Sequence, residues 1–348
     1  VEICKCAGGC SGSAAHPPTE AFRGHRIMNV RKAVITAAGR GARLYPAAST
    51  VQKAMLPVAD LDGVVKPVIQ LIAGEAIAAG AEDICIVCAP GDPEEYPAQL
   101  RRLRENLLAA HGGSEWAERQ AEQIEDLIRR LHFTVQEEPR GYGHAVYCAR
   151  DFTAGEPFLL LLEDHVYISS HPEERCARQI TSLAQAEECS VSGVQVTRES
   201  LIRNFGTLAG RRVEEMPGVY QVEHILEKPS ITTAELELVT PGLRTGHYLC
   251  FFGIHVLTPG VFEILEERLG DGSECLLTPA LDELARREKY LALEVQGSRY
   301  DIGQKLGLMR AQLALALAGR DADEALASVV ELLIESRRRD GACSEAAV

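Results

Sequence analysis

Asp164 ends the apolar run Phe158-Leu-Leu-Leu-Leu-Glu-Asp164, and Asp301 stands in Tyr300-Asp-Ile-Gly303. A carboxylate at the carboxyl end of a buried parallel strand overhangs the crevice where open α/β sheets bind ligands, a suitable place for Mg²⁺. Asp301 alone reads better as an N-cap for the helix expected after it. Upstream, Ala38-Gly-Arg-Gly-Ala-Arg43 follows a short apolar run. Gly39 and Gly41 let the backbone approach a ligand closely, and N–H groups in such a turn can cradle phosphate oxygens. The loop lacks the third glycine of a dinucleotide fingerprint and the Gly-Lys-Ser/Thr of a P-loop. By itself it also reads as a plain strand-to-loop turn. Arg43 and Lys53 would emerge near the same strand end, the first able to fork onto phosphate oxygens and the second acting as a point charge. A lone surface cation is more often merely solvated. Gln136 precedes Gly141 by five residues. A glutamine amide can pair with two groups of the acceptor–donor–acceptor edge of uracil, and a glycine backbone can meet the third. Glu227-Lys-Pro229 closes another apolar run, placing an acid and a cation at a further strand end.

These groups suit phosphates, yet the 348-residue chain carries a net charge of −14. Its overall field repels nucleic acid and anionic membranes, so neither is expected as a partner, and a phosphorylated substrate needs a local cationic pocket. No apolar stretch approaches membrane-spanning length. The eleven cysteines are scattered through apolar segments. Cys85 and Cys88 lie three apart on a strand-like run and so point to opposite faces, which makes them buried hydrophobes rather than a pair. Cys4, Cys6 and Cys10 lack His or Cys partners at finger-like spacing. A reducing, cytoplasmic setting is expected.

The elements that must hold these groups alternate. Strands are expected at Lys32–Ala37, Ile84–Val87, Phe133–Gln136 and Phe158–Leu162, with a helix at Val68–Ala79 and a long charged helical region from Pro93 to Leu131. Unalternated apolar strands separated by helices imply a parallel, Rossmann-like α/β sheet flanked by helices. After Asp164 the runs Val191–Val196, Val219–Ile225, Tyr248–His255 and Tyr290–Val295 have fewer helices between them, so the sheet becomes mixed. Helices are expected at Lys305–Leu317 and Asp323–Ser336. The domain reading is a disordered tail over 1–27, a catalytic domain over 28–303, a helical extension over 304–337 and a polar tail over 338–348.

Taken together, the loop, Lys53-Ala-Met-Leu-Pro57 and Gly141-Tyr-Gly-His-Ala145 resemble the sugar-nucleotide pyrophosphorylases, the uridylyl branch most of all. That family carries Gly-x-Gly-Thr-Arg, Lys-Glu-Met-Leu-Pro and Gly-Leu-Gly-His-Ala at these places. Ala42 replaces the usual Thr, Ala54 the usual Glu, and the connection 58–65 is longer. The resemblance implies an Mg²⁺-dependent uridylyl transfer from UTP to glucose 1-phosphate, giving UDP-glucose and pyrophosphate. Arg43, Lys53 and Lys228 are the implied catalytic cations. Ala38, Gly39, Gly41, Gln136 and Gly141 would bind the nucleotide, and Asp164 and Asp301 the metal. Gly206, Glu227 and Tyr248 would line the sugar pocket. Phe205 stands where Tyr is common, and Leu276 where Glu-x-Gln-Leu-Thr has Gln. A thymidylyltransferase and a non-catalytic sugar-nucleotide sensor remain as alternatives, and a homo-oligomer is expected.

Overall fold

Strands rich in Val, Ile and Leu on both faces must be covered on both sides, and this requirement sets the architecture. In the computed structural model, which describes residues 28–39, 51–270, 272 and 274–345, β1 (Lys32–Thr36) lies between β4 (Asp83–Cys88) and β6 (Phe158–Leu162) and runs parallel to both. The expected tail 1–27 with Cys4, Cys6 and Cys10, and the loop residues Gly41, Ala42 and Arg43, lie outside the described residues. Strand β5 (Leu131–Val135) adds in parallel outside β4. The four strands therefore end together, and their carboxyl ends are stitched by Ala37 N to Val87 O, Glu163 N to Thr36 O and Gln136 N to Cys88 O.

Beyond β6 the sheet turns mixed, as expected. β11 (His247–Leu257) is antiparallel to β6 and to β8 (Ser190–Arg198), which pairs in parallel with β12 (Tyr290–Glu294). β10 (Val219–Glu227) and β9 (Gly206–Arg212) complete the nine strands this sheet has among the described residues. A separate hairpin, β2 (Pro57–Ala59) with β3 (Val65–Pro67), fills the longer connection and turns at Asp62-Gly63, where Gly63 has φ 79°. A second small ribbon pairs β7 (His165–Ser169) with β13 (Gly297–Asp301).

The expected helical region 93–131 is two helices, α2 (Asp92–His111) and α3 (Glu115–Arg130). Gly113 at φ 88° breaks them apart, and Ser114 caps the second by accepting from Ala117 N. Helix α1 (Val68–Ala78) precedes them; α4 (Tyr142–Tyr147), α5 (Arg150–Thr153), α6 (Cys176–Glu187), α7 (Ile231–Glu237), α8 (Gly260–Leu269) and α9 (Leu277–Arg287) follow. α10 (Gly307–Ala318) inserts Ala311 and Leu315 into the core, and α11 (Ala322–Glu345) packs on α10. Cys85 and Cys88 enter different apolar clusters on the two sides of β4, and both are free thiols. No helix among the described residues is long and apolar enough to cross a membrane.

Candidate active site

The β7–β13 ribbon decides where the two aspartates go. Asp164 directly precedes β7, Asp301 closes β13, and the register sets Asp301 opposite His165. Ile302 N donates to Asp164 O at 2.8 Å, tying the two segments together. As a result ligand atoms of Asp164, His165 and Asp301 all lie within 4.8 Å of one another. Asp301 is not a helix cap: α10 begins at Gly307, and Asp301 instead accepts from Gly303 N at 2.8 Å and Gln304 Nε2 at 3.0 Å. The two carboxylates are oxygen donors that suit a hard divalent cation, and the imidazole beside them bonds to Asp164 at 2.9 Å.

Lys53 stands against this cluster. Its ammonium lies 2.7 Å from Glu163 Oε1 and 3.2 Å from Asp164 Oδ2, and a Cβ added at Gly39 would sit 3.9 Å from it. Burial alone would lower the Lys53 pKa, but the two carboxylates outweigh it and raise it, so the cation is kept. Burial pushes Glu163 up to about 8 although Lys53 opposes this. For Asp164, burial also pushes upward, yet the bond and charge of His165 and the charge of Lys53 hold it well below the usual carboxylate range. Ala38, half-buried, and Gly39, exposed, follow the carboxyl end of β1.

A second group forms where β9 meets β10. Gly206 is paired in register with Glu227, whose Oε2 accepts from Thr278 Oγ1 at 2.6 Å and whose Oε1 lies 3.2 Å from Lys228 Nζ. A Cβ at Gly206 would meet the Phe251 ring at 2.6 Å, so only glycine fits there. Lys228 adopts φ 46°, a conformation that costs a non-glycine residue about 1–2 kcal/mol. Its N–H donates to Phe205 O at 3.1 Å, which holds that turn. Tyr248 is not gathered with these groups: its ring is buried in a small apolar cluster with Ile202, Ala209, Leu238 and Cys250.

Gln136, at the end of β5, is buried and donates through Nε2 to Gly141 O at 3.2 Å, with His144 Nδ1 at 3.0 Å. Gly141 has φ 104°, and a Cβ there would meet Cys275 O at 2.5 Å. Backbone bonds from Gly143 N to Cys275 O and from Cys275 N to Arg140 O, both 2.8 Å, clamp this loop to the segment before α9.

Sequence reasoning passed over His165, Thr278 and Arg299. His165 was adjacent to a singled-out aspartate, and Thr278 is the Thr of the Leu-Thr pair that follows Leu276. Arg299 gave no signal: it is a half-buried guanidinium on β13 that donates to Phe251 O, with its charge 3.9 Å from the Phe205 ring centroid. It thereby joins the strand carrying Asp301 to the turn carrying Gly206.

The nucleotidyl transferase family model matches residues 32–317. The chain belongs to that family. It is 35% identical over 321 residues to the UTP–glucose-1-phosphate uridylyltransferase of Bacillus subtilis (strain 168), covering 88% of this chain and 98% of the relative. A Streptococcus pneumoniae protein of the same description is 34% identical over 292 residues, covering 83% of this chain and 91% of that one. Among solved structures, a UDP-glucose pyrophosphorylase complexed with UDP-glucose superimposes with a TM-score of 0.65 at 30% identity, over 82% of this chain and 98% of that one. The UDP-glucose pyrophosphorylase from Acinetobacter baumannii gives 0.70 at 25% identity, over 87% and 100%. The mixed sheet and its flanking helices are thus those of this transferase fold, and the chain is an enzyme of that kind.

Proposed function

We propose that this nucleotidyl transferase joins UTP to glucose 1-phosphate, releasing pyrophosphate and forming UDP-glucose. The observation that carries the reading is the convergence of Asp164 and Asp301 beside the Lys53 ammonium at the carboxyl ends of the parallel strands. The two relatives named above carry that pair of substrates in their names.

The attacking group in this reaction is already an anion, a phosphate oxygen of the sugar phosphate, so no strong base is required. What the protein must do is bring two polyanions together in line and offset their charge. Lys53 and Arg43 would hold the triphosphate, Lys228 the phosphate shared between the two substrates, and Ala38, Gly39 and Gly41 would offer backbone N–H groups. Asp164 and Asp301 would hold Mg²⁺, which when bound supplies charge neutralisation at the reacting phosphate. Gln136 and Gly141 would read the pyrimidine edge. Glu227, oriented by Thr278, would accept from sugar hydroxyls, with Gly206 leaving room for the ring.

A pyrophosphate-release screen of the four common nucleoside triphosphates against several sugar 1-phosphates tests the proposal. UTP with glucose 1-phosphate should be the fastest pair, and Gln136→Ala should slow it mainly through the KM for UTP, because a base-reading amide leaves unpaired groups when lost. Equal rates with ATP would sink the base assignment.

A further inference from the structure

His144 stands against the amide that would read the base. Its Nδ1 lies 3.0 Å from Gln136 Nε2, and the same amide nitrogen lies 3.2 Å from Gly141 O. Two rigid elements set these distances. Gln136 directly follows β5, where its N–H donates to Cys88 O at 2.9 Å. His144 is the third residue of α4, whose first turn is pinned by Gly143 N donating to Cys275 O at 2.8 Å. Gln136 is buried, so its amide cannot exchange these partners for bulk water.

The chemistry of the partners fixes which way the amide faces. A carbonyl oxygen only accepts, so the amide nitrogen must be the atom that faces Gly141 O. Its second hydrogen then meets His144 Nδ1, which accepts when the neutral ring carries its proton on Nε2. Cys148 Sγ, 3.7 Å from that Nε2, is in place to receive it. The other tautomer would give its Nδ1 proton to Glu138 O at 3.0 Å and leave the amide held by Gly141 alone. Among the described residues every bond of the Gln136 side chain runs through Nε2, so Oε1 is the group offered to a ligand.

We propose that His144 is a specificity-determining positioning residue: by accepting from Gln136 Nε2 it holds Oε1 toward the base, where it takes the N3–H of uracil and turns cytosine away. Cytosine carries a bare ring nitrogen at that place. Two acceptors set face to face leave both unpaired, and a site built around a hydrogen bond penalises the base that cannot make it. Thymine presents the same N3–H, so this device does not separate it from uracil. The proposal rests on the nucleotidyl-transfer reading and deepens its base assignment.

The test measures affinities for UMP, dTMP and CMP by calorimetry, with the melting temperature of each variant as the check on folding. His144→Leu and His144→Ala offer no acceptor, whereas His144→Asn places a carbonyl oxygen where Nδ1 stands. Without the acceptor the amide can turn, so UMP and dTMP should each bind about tenfold more weakly, the weight of one neutral hydrogen bond, and CMP no more weakly than before. The preference for UMP over CMP should therefore fall in both variants, while His144→Asn keeps it. In turnover with glucose 1-phosphate the loss should appear in the KM for UTP, with kcat held. A preference kept by the leucine and alanine variants would overturn the proposal, and is the outcome expected of the Nδ1–H tautomer. So would equal losses for UMP and CMP, or an asparagine variant as indifferent as the leucine, since each marks the bulk of the ring rather than its acceptor. A wild type that binds UMP and CMP alike fails the base assignment itself, and the proposal falls with it.

Discussion

Lys53 Nζ lies 2.7 Å from Glu163 Oε1, a salt bridge with both side chains almost wholly out of water. The same ammonium reaches Asp164, so one cation separates two carboxylates that are neighbours in sequence. Removing one partner of a buried pair typically costs about 3–5 kcal/mol, because an uncompensated charge stays behind. Lys53→Ala takes the shared cation from Asp164, while Glu163, already pushed up to about 8, takes up a proton, so the loss should fall at the lower end of that range, measured by urea unfolding. Glu163→Gln leaves Lys53 its contact with Asp164 and should lose clearly less. Equal losses would show that Glu163 is the dominant partner.

The metal assignment makes a separate prediction. Asp301→Asn keeps the shape of the turn at Gly303 but removes a charge from the group formed with Asp164 and His165. Its Mg²⁺ requirement should move to higher concentration and turnover should fall by about a hundredfold, comparable to losing one strong electrostatic contact. Asp164→Asn should do the same. A Mg²⁺ titration of pyrophosphate release decides: wild-type behaviour in both variants would exclude the metal role.

His255, fully buried on β11, faces Ser192, which also contacts Tyr290 at 2.6 Å. Burial pushes its pKa down to about 3. An unfolded histidine titrates near about 6.5, so between these values the unfolded chain binds the extra proton. Stability is therefore lost as pH falls from about 6.5 toward about 3, with a slope of up to about 1.4 kcal/mol per pH unit from this residue. His255→Asn, which keeps an acceptor for Ser192, should be less stable at pH 7 but should lose less between pH 7 and 5. Urea midpoints at the two pH values measure this, and parallel losses would show that His255 contributes nothing.

Asp164 was legible because an unalternated apolar run ends on it, and strands of that kind deliver their last residue to a common edge. Its meeting with Asp301 was not. The β7–β13 ribbon that joins them is built from His165–Ser169 and Gly297–Asp301, short half-polar runs with no strong strand pattern, and their pairing depends on the finished sheet. The break in the helical region at Gly112-Gly113 and the hairpin at Asp62-Gly63 were written in glycines, but the apolar spacing on either side hid the first and the shortness of the strands hid the second. Arg299 was invisible for a different reason. A half-buried arginine on a strand reads as a surface charge until the ring of Phe205 is seen against it.

The last helix bears on assembly. Along α11, Ala322, Ala325 and Val329 are half-buried, while Leu326, Val330 and Leu333 are 54%, 46% and 60% exposed. These three recur in steps of four and three, and Asp323 and Arg337, both exposed, continue the same stripe at either end. Such a stripe is self-complementary. Two copies laid antiparallel about a two-fold axis at Val330 would set Leu326 against Ile334 of the second copy, and Asp323 against its Arg337. A 24-residue helix is about 36 Å long, so this contact alone sits at the small end of stable interfaces and should give a dimer that dissociates on dilution. We expect light scattering after size exclusion to show that dimer, and Val330→Glu with Leu333→Glu to yield monomers with an unchanged circular dichroism spectrum. Asp323→Arg and Arg337→Asp should each weaken association by placing like charges together, and the two combined should restore it. A wild type that is monomeric at all concentrations, or a dimer indifferent to the glutamates, would place the exposed stripe outside any contact between copies.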